Sequence, residues 1–94
     1  MTFNEIDERI KALAASRGPL GVSFKFSFPG GIIVVNADGT VTNENVDADC
    51  TIAATEETFS DLMGGKINPM MAVMTGKVKI SGDMSVAMKL QNLL

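Results

Sequence analysis

Apolar residues at Phe3, Ile6, Ile10, Leu13 and Ala14 recur at helical spacing, with Glu5, Asp7, Glu8, Arg9 and Lys11 mostly off that stripe. The pattern predicts a helix over 2–16, opened by a capping box of Thr2 and Glu5 and ended by Arg17-Gly18-Pro19. The period then changes to two. Val22-Ser23-Phe24-Lys25-Phe26-Ser27-Phe28 alternates strictly, as a strand with one buried face does. Pro29-Gly30-Gly31 turns the chain into Ile32-Ile33-Val34-Val35, a β-branched run typical of a strand covered on both sides or central in its sheet. Asp38-Gly39 is a hairpin signal, and a third strand begins at Val41-Thr42-Asn43. After a loop over 45–49, Cys50-Thr51-Ile52-Ala53-Ala54 reads as a fourth strand.

Helical patterns return in the second half. Thr55 caps a helix over 56–63, with Glu56 and Glu57 in its positive first turn, and Gly64-Gly65 stops it. Asn68 and Pro69 suit the cap and first position of a short helix that Gly76 ends. Lys77-Val78-Lys79-Ile80 alternates, which predicts a fifth strand over 77–81, and a last helix runs over 83–94. That last helix carries Met84, Val86, Ala87, Met88, Leu90, Leu93 and Leu94, which cover more than the single stripe a surface helix needs. Strands and helices are segregated along the chain. The expected class is therefore α+β: one domain over 1–94, with a single five-stranded, mostly antiparallel sheet and helices covering one face.

Composition narrows the chemistry. With 46% hydrophobic and 20% charged residues the chain is globular, and a net charge of -3 without a basic stripe excludes a nucleic-acid surface. Histidine is absent, which removes the usual general base and the commonest metal ligand, so no Ser-His-Asp or Cys-His arrangement can form. Cys50 is the only cysteine; on a strand alternating with Ile52 it reads as a small buried hydrophobe. The acidic residues Asp47, Asp49, Glu56, Glu57 and Asp61 lack the glycine spacing of a calcium loop and read as solvated loop and helix-start charges. The glycine pairs match no phosphate-binding motif. An enzyme is not expected, nor a metal or cofactor.

A lone cysteine fits a reducing cytosol. No apolar run approaches the ~20 residues that span a bilayer. The N-terminus is polar and acidic, unlike a signal peptide. The C-terminal Asn92-Leu93-Leu94 is not a peroxisomal address. The expected location is cytoplasmic.

The apolar surplus of the second half remains. Met70, Met71 and Met74 load the short helix, and the chain has seven methionines in all. Methionine is flexible and polarizable and suits surfaces that adapt to irregular guests. Deep burial, dimerisation and a lipid-facing wall each account for the surplus.

Gly65-Lys66-Ile67-Asn68-Pro69, then Gly76-Lys77-Val78-Lys79-Ile80-Ser81-Gly82-Asp83-Met84, then Ala87-Met88-Lys89-Leu90-Gln91 resemble, in order and spacing, the signature of the sterol carrier protein type-2 domain family. The likeness is close over about 47–93; over 1–46 only the order of elements matches. The resemblance implies an apolar tunnel between sheet and helices and a hydrophobic ligand: a fatty acid, acyl-CoA, sterol or isoprenoid lipid. Phe24, Phe26, Phe28, Ile33 and Val35 would form one wall. Phe59, Leu62, Met63, Met70, Met71, Met74, Met84, Met88 and Leu90 would form the other, with the last helix as gate. The inward parity of Ile33 and Val35 over Ile32 and Val34 is an assumption of this assignment. Transient membrane contact and a homodimer are the further partners expected. With no Trp or Tyr, ring stacking rests on Phe alone, which favours acyl chains over sterol. The alternative function is an accessory or oligomerising protein whose apolar last helix binds a partner chain, for instance in a lipid or quinone biosynthetic complex.

Overall fold

The computed structural model describes residues 1–89. Helix α1 (Phe3–Arg17) starts at the expected capping box: the Glu5 backbone N–H donates to Thr2 Oγ1, and the Thr2 N–H donates to Glu5 Oε1. Its buried stripe is Ile6, Ile10 and Ala14, with Phe3 and Leu13 packed at the edge of the core. Gly18 closes it at φ 73, the left-handed region that a Cβ disfavours.

Strands β1 (Phe24–Phe28), β2 (Gly31–Val35), β3 (Val41–Thr42), β4 (Cys50–Ala53) and β5 (Lys79–Gly82) form one sheet in the order β3-β2-β1-β4-β5. Three of the four pairings are antiparallel, and β1 with β4 is parallel. Register aligns apolar positions in rows. Phe24 lies opposite Val35 and Cys50, and Phe26 lies opposite Ile33 and Ile52. Ile33 and Val35 thus share the buried face of the phenylalanines, the parity assumed above.

Helices α1, α2 (Glu56–Met63), α3 (Pro69–Met74) and α4 (Met84–Met88) contribute Ile6, Ile10, Ala14, Phe59, Ala72 and Val86 to the same core as these rows. The helices therefore sit over one face. The other face is covered locally. Because β1 and β4 are parallel, the chain must run the length of the sheet between β3 and β4. Asn45 of that crossing accepts a hydrogen bond from Lys25 Nζ at 2.9 Å. Lys25 pairs with Val34, which is fully buried although it points away from the main core. The β-branched run of β2 is thus covered on both sides at Val34.

Two expected boundaries move. The first strand begins at Phe24, two residues late, because Gly21 (φ 76) holds the entry in a bend and Ser23 bonds to Asp49. The fifth begins at Lys79, because the Lys77 and Val78 backbone N–H groups donate back to Ala72 O and close the end of α3. Of the helix expected over 83–94, Met84–Met88 is helical, and the rest beyond Lys89 lies outside the described residues.

Candidate functional site

Aromatic side chains build the centre of the layer between sheet and helices. Phe59 of α2 meets Phe26 at a centroid distance of 5.5 Å and Phe28 at 5.3 Å, both edge to face, the arrangement that ring quadrupoles favour. Phe3 contacts Phe28 edge-on at 6.2 Å, and Phe24 stacks on Phe26 at 6.5 Å. Thr55 caps α2, its Oγ1 accepting from the Thr58 N–H, while Glu56 Oε2 accepts from the Gly30 N–H at 2.8 Å. The start of α2 is so fixed to the β1–β2 turn, which keeps Phe59 over β1.

The segment from α3 through β5 to α4 is attached differently. Asn68 caps α3 by accepting from the Met70 N–H, with Pro69 in the first turn. Ala72 is the one buried residue of that helix. Val78 and Val86 are the other buried residues of the segment, with Ile80 and Ala87 half-buried beside them. Met70 and Met74 are 71% and 75% exposed, and Met71, Met84 and Met88 are exposed as well.

Asp49 locks the far end of this segment. Its Oδ2 accepts from the Ser23 N–H and hydroxyl, its own N–H donates to Ser23 Oγ, and its carbonyl accepts from the Asp83 N–H. Asp83 caps α4 through the Ser85 N–H and hydroxyl, and these two bonds hold its carboxyl below the usual aspartate range. Gly82 has φ 98, and a Cβ there would stand 2.5 Å from Asp49 O, so the junction requires glycine. Cys50 is buried beside it. Burial first, and the Asp83 charge second, push its thiol pKa up, as expected of a packing residue rather than a nucleophile.

The expected wall residues thus separate into two sets. Phe24, Phe26, Phe28, Ile33, Val35 and Phe59 come together in the core, with Leu62 and Met63 packed at its margin. Met70, Met71, Met74, Met84 and Met88 do not join them and face outward. Leu90 lies outside the described residues. Among the described residues the aromatic layer is a cluster of contacting buried side chains, and no tunnel is seen through it. Two recesses open at the surface instead. One of about 420 Å³ is lined by Ser27, Phe28, Pro29, Ala53, Ala54, Thr55, Gly76, Lys77 and Lys79. A smaller one of about 190 Å³, under α3, is lined by Ile67, Met71, Ala72, Thr75 and Lys77. Neither Lys77 nor Lys79 was a predicted site residue; their signal was the basic pair inside the otherwise uncharged stretch 67–82. Ala72 was missed too, although it is the smallest side chain in a helix otherwise built of Pro, Met and Val.

The described residues contain no cluster of three or more His, Cys, Asp or Glu placed to hold a metal, and no helix long and apolar enough to cross a membrane.

Residues 3–94 match the SCP-2 sterol transfer family. The chain belongs to this family. Bovine Sterol carrier protein 2 is 46% identical over 104 residues and the human protein 38%, each alignment taking in 99% of this chain. The chain spans about a fifth of those relatives, 19% of their length. Among solved structures, the fold is similar to the solution structure of palmitated SCP2L2 from Aedes aegypti, with a TM-score of 0.77, 26% identity, and coverage of 99% of this chain and 94% of that one. Family membership agrees with the α+β sheet and one-sided helical layer.

Proposed function

We propose that this domain binds and carries a hydrophobic ligand, an acyl lipid foremost, between the aromatic layer and the methionine segment. Phe24, Phe26, Phe28, Ile33, Val35, Phe59, Leu62 and Met63 form the floor. Met70, Met71, Met74, Met84, Met88 and Leu90 wrap the guest once the segment lifts. The observation that carries this reading is the light attachment of a greasy segment over a greasy core. Between Lys66 and Lys89 the buried anchors are Ala72, Val78 and Val86.

The magnitudes favour a long chain. With the β4–β5 ladder and the Asp49–Asp83 bond kept in place, re-exposing the two valines costs about 1.5–3 kcal/mol each, so at ~0.8 kcal/mol per CH₂ roughly four to eight methylenes offset them. A longer acyl chain leaves a net gain and needs no polar anchor. The palmitated Aedes relative supports an acyl guest. Recognition through burial alone makes selectivity among chain lengths loose. The domain acts as a carrier and not as a catalyst, and the free Cys50 suits a reducing compartment.

Delipidated protein titrated with a fluorescent fatty acid is expected to show saturable binding in the micromolar range or tighter, with co-purified lipid visible by native mass spectrometry. No saturable binding and no co-purified lipid, together with a concentration-dependent dimer, overturns the proposal in favour of a partner-binding role.

A further inference from the structure

Helix α3 has no polar side chain, and its buried surface is limited to Ala72. Met70, Met71, Val73 and Met74 are all exposed large hydrophobics. A helix that is apolar all round is normally enclosed by protein or by lipid. Among the described residues, protein covers only Ala72 of it.

Charge identifies what covers the rest. Residues 66–89 carry four lysines and one aspartate, a balance of +3, whereas residues 1–65 carry four Lys and Arg against ten carboxylates, a balance of −6; together these are the −3 of the chain. The lysines bracket α3 directly. Lys66 lies two residues before its cap, and the Lys77 N–H donates to Ala72 O at 2.9 Å, which folds Lys77 back beside Met71. Lys79 follows along the neighbouring groove. All of these lysines are exposed.

We infer that α3 is a docking tip for an anionic lipid surface: its methionines enter the interface, and Lys66, Lys77 and Lys79 meet the headgroups. Apolar side chains on a short tip with cations around it form the arrangement that interfacial insertion uses, each part supplying what the other lacks. A second copy is the poorer occupant, since a two-fold contact through α3 would set lysines against lysines. Vesicle docking is measured apart from fatty-acid binding, so failure of one leaves the other standing.

Co-sedimentation with phosphatidylcholine vesicles, with and without phosphatidylserine, tests this. Binding is expected to the phosphatidylserine vesicles and to fall in about 0.5 M salt, which screens the headgroups. Each lysine beside an anionic surface contributes about fivefold, so K66E/K77E should weaken binding by about 25-fold or more. M70S/M74S should weaken it by about tenfold through lost apolar burial, while both variants keep wild-type circular dichroism and K66E/K77E keeps wild-type fatty-acid binding. Equal binding to neutral and anionic vesicles, no binding, or no response to either double variant overturns the inference. So does light scattering that shows a dimer broken by M70S/M74S.

Discussion

Helices α2 and α3 are close in sequence and reversed in logic. Helix α2, Glu-Glu-Thr-Phe-Ser-Asp-Leu-Met, is mostly polar, yet it places Phe59 at 1% exposure against two rings of β1. Helix α3, Pro-Met-Met-Ala-Val-Met, is entirely apolar and mostly exposed. Hydrophobicity alone therefore does not decide which element closes the core. Shape and tethering do. A rigid ring on a helix held by Thr55 and Glu56 outperforms several flexible thioethers on a helix with one small contact. The same contrast divides the molecule into an interlocked part, built on α1, β1, β2, β4 and α2, and a lightly held part running from α3 to α4.

The sharpest way to break the contrast is to hollow out the interlocked part. Phe26→Ala removes the ring shared by Phe24 and Phe59 and should destabilise the domain by about 3–5 kcal/mol in urea unfolding. A loss below about 1 kcal/mol means that the aromatic layer does not hold the fold.

Gly82→Ala probes the joint between the two parts. The new methyl meets Asp49 O in a left-handed backbone position, which should cost about 1–3 kcal/mol. Faster amide exchange is expected in β5 and α4 well before α1. Uniform acceleration across the chain would mean that the two parts open as one unit.

M70S/M74S should sit at the other extreme. With both side chains largely exposed, unfolding free energy should stay within about 0.5 kcal/mol of wild type. A larger loss would show that α3 contributes to the core after all.

The sheet was readable because alternation and turn residues agree. Phe24 to Phe28, Asp38-Gly39 and the caps Thr2, Thr55 and Asn68 each point to one local structure. The edge strand β5 was less legible. Its alternation includes Lys77 and Val78, whose backbone groups serve the end of α3 instead of the ladder. The aromatic and β-branched half of the expected walls assembled as one face because the strand period dictates orientation. The methionine half was expected to line a cavity from the family resemblance together with the apolar surplus. Orientation there depends on how a short helix docks, and no spacing within six residues records that.

The parallel pairing of β1 and β4 has a practical consequence. Residues 43–47 cross the sheet as an exposed strip between halves that each end on an unsatisfied ladder: β1 on one piece, β4 on the other. Severing the backbone there would yield two fragments, neither with a finished sheet, whose recombination restores the central seam. That makes the domain a natural scaffold for a split reporter, in which reassembly signals the meeting of whatever is fused to each piece.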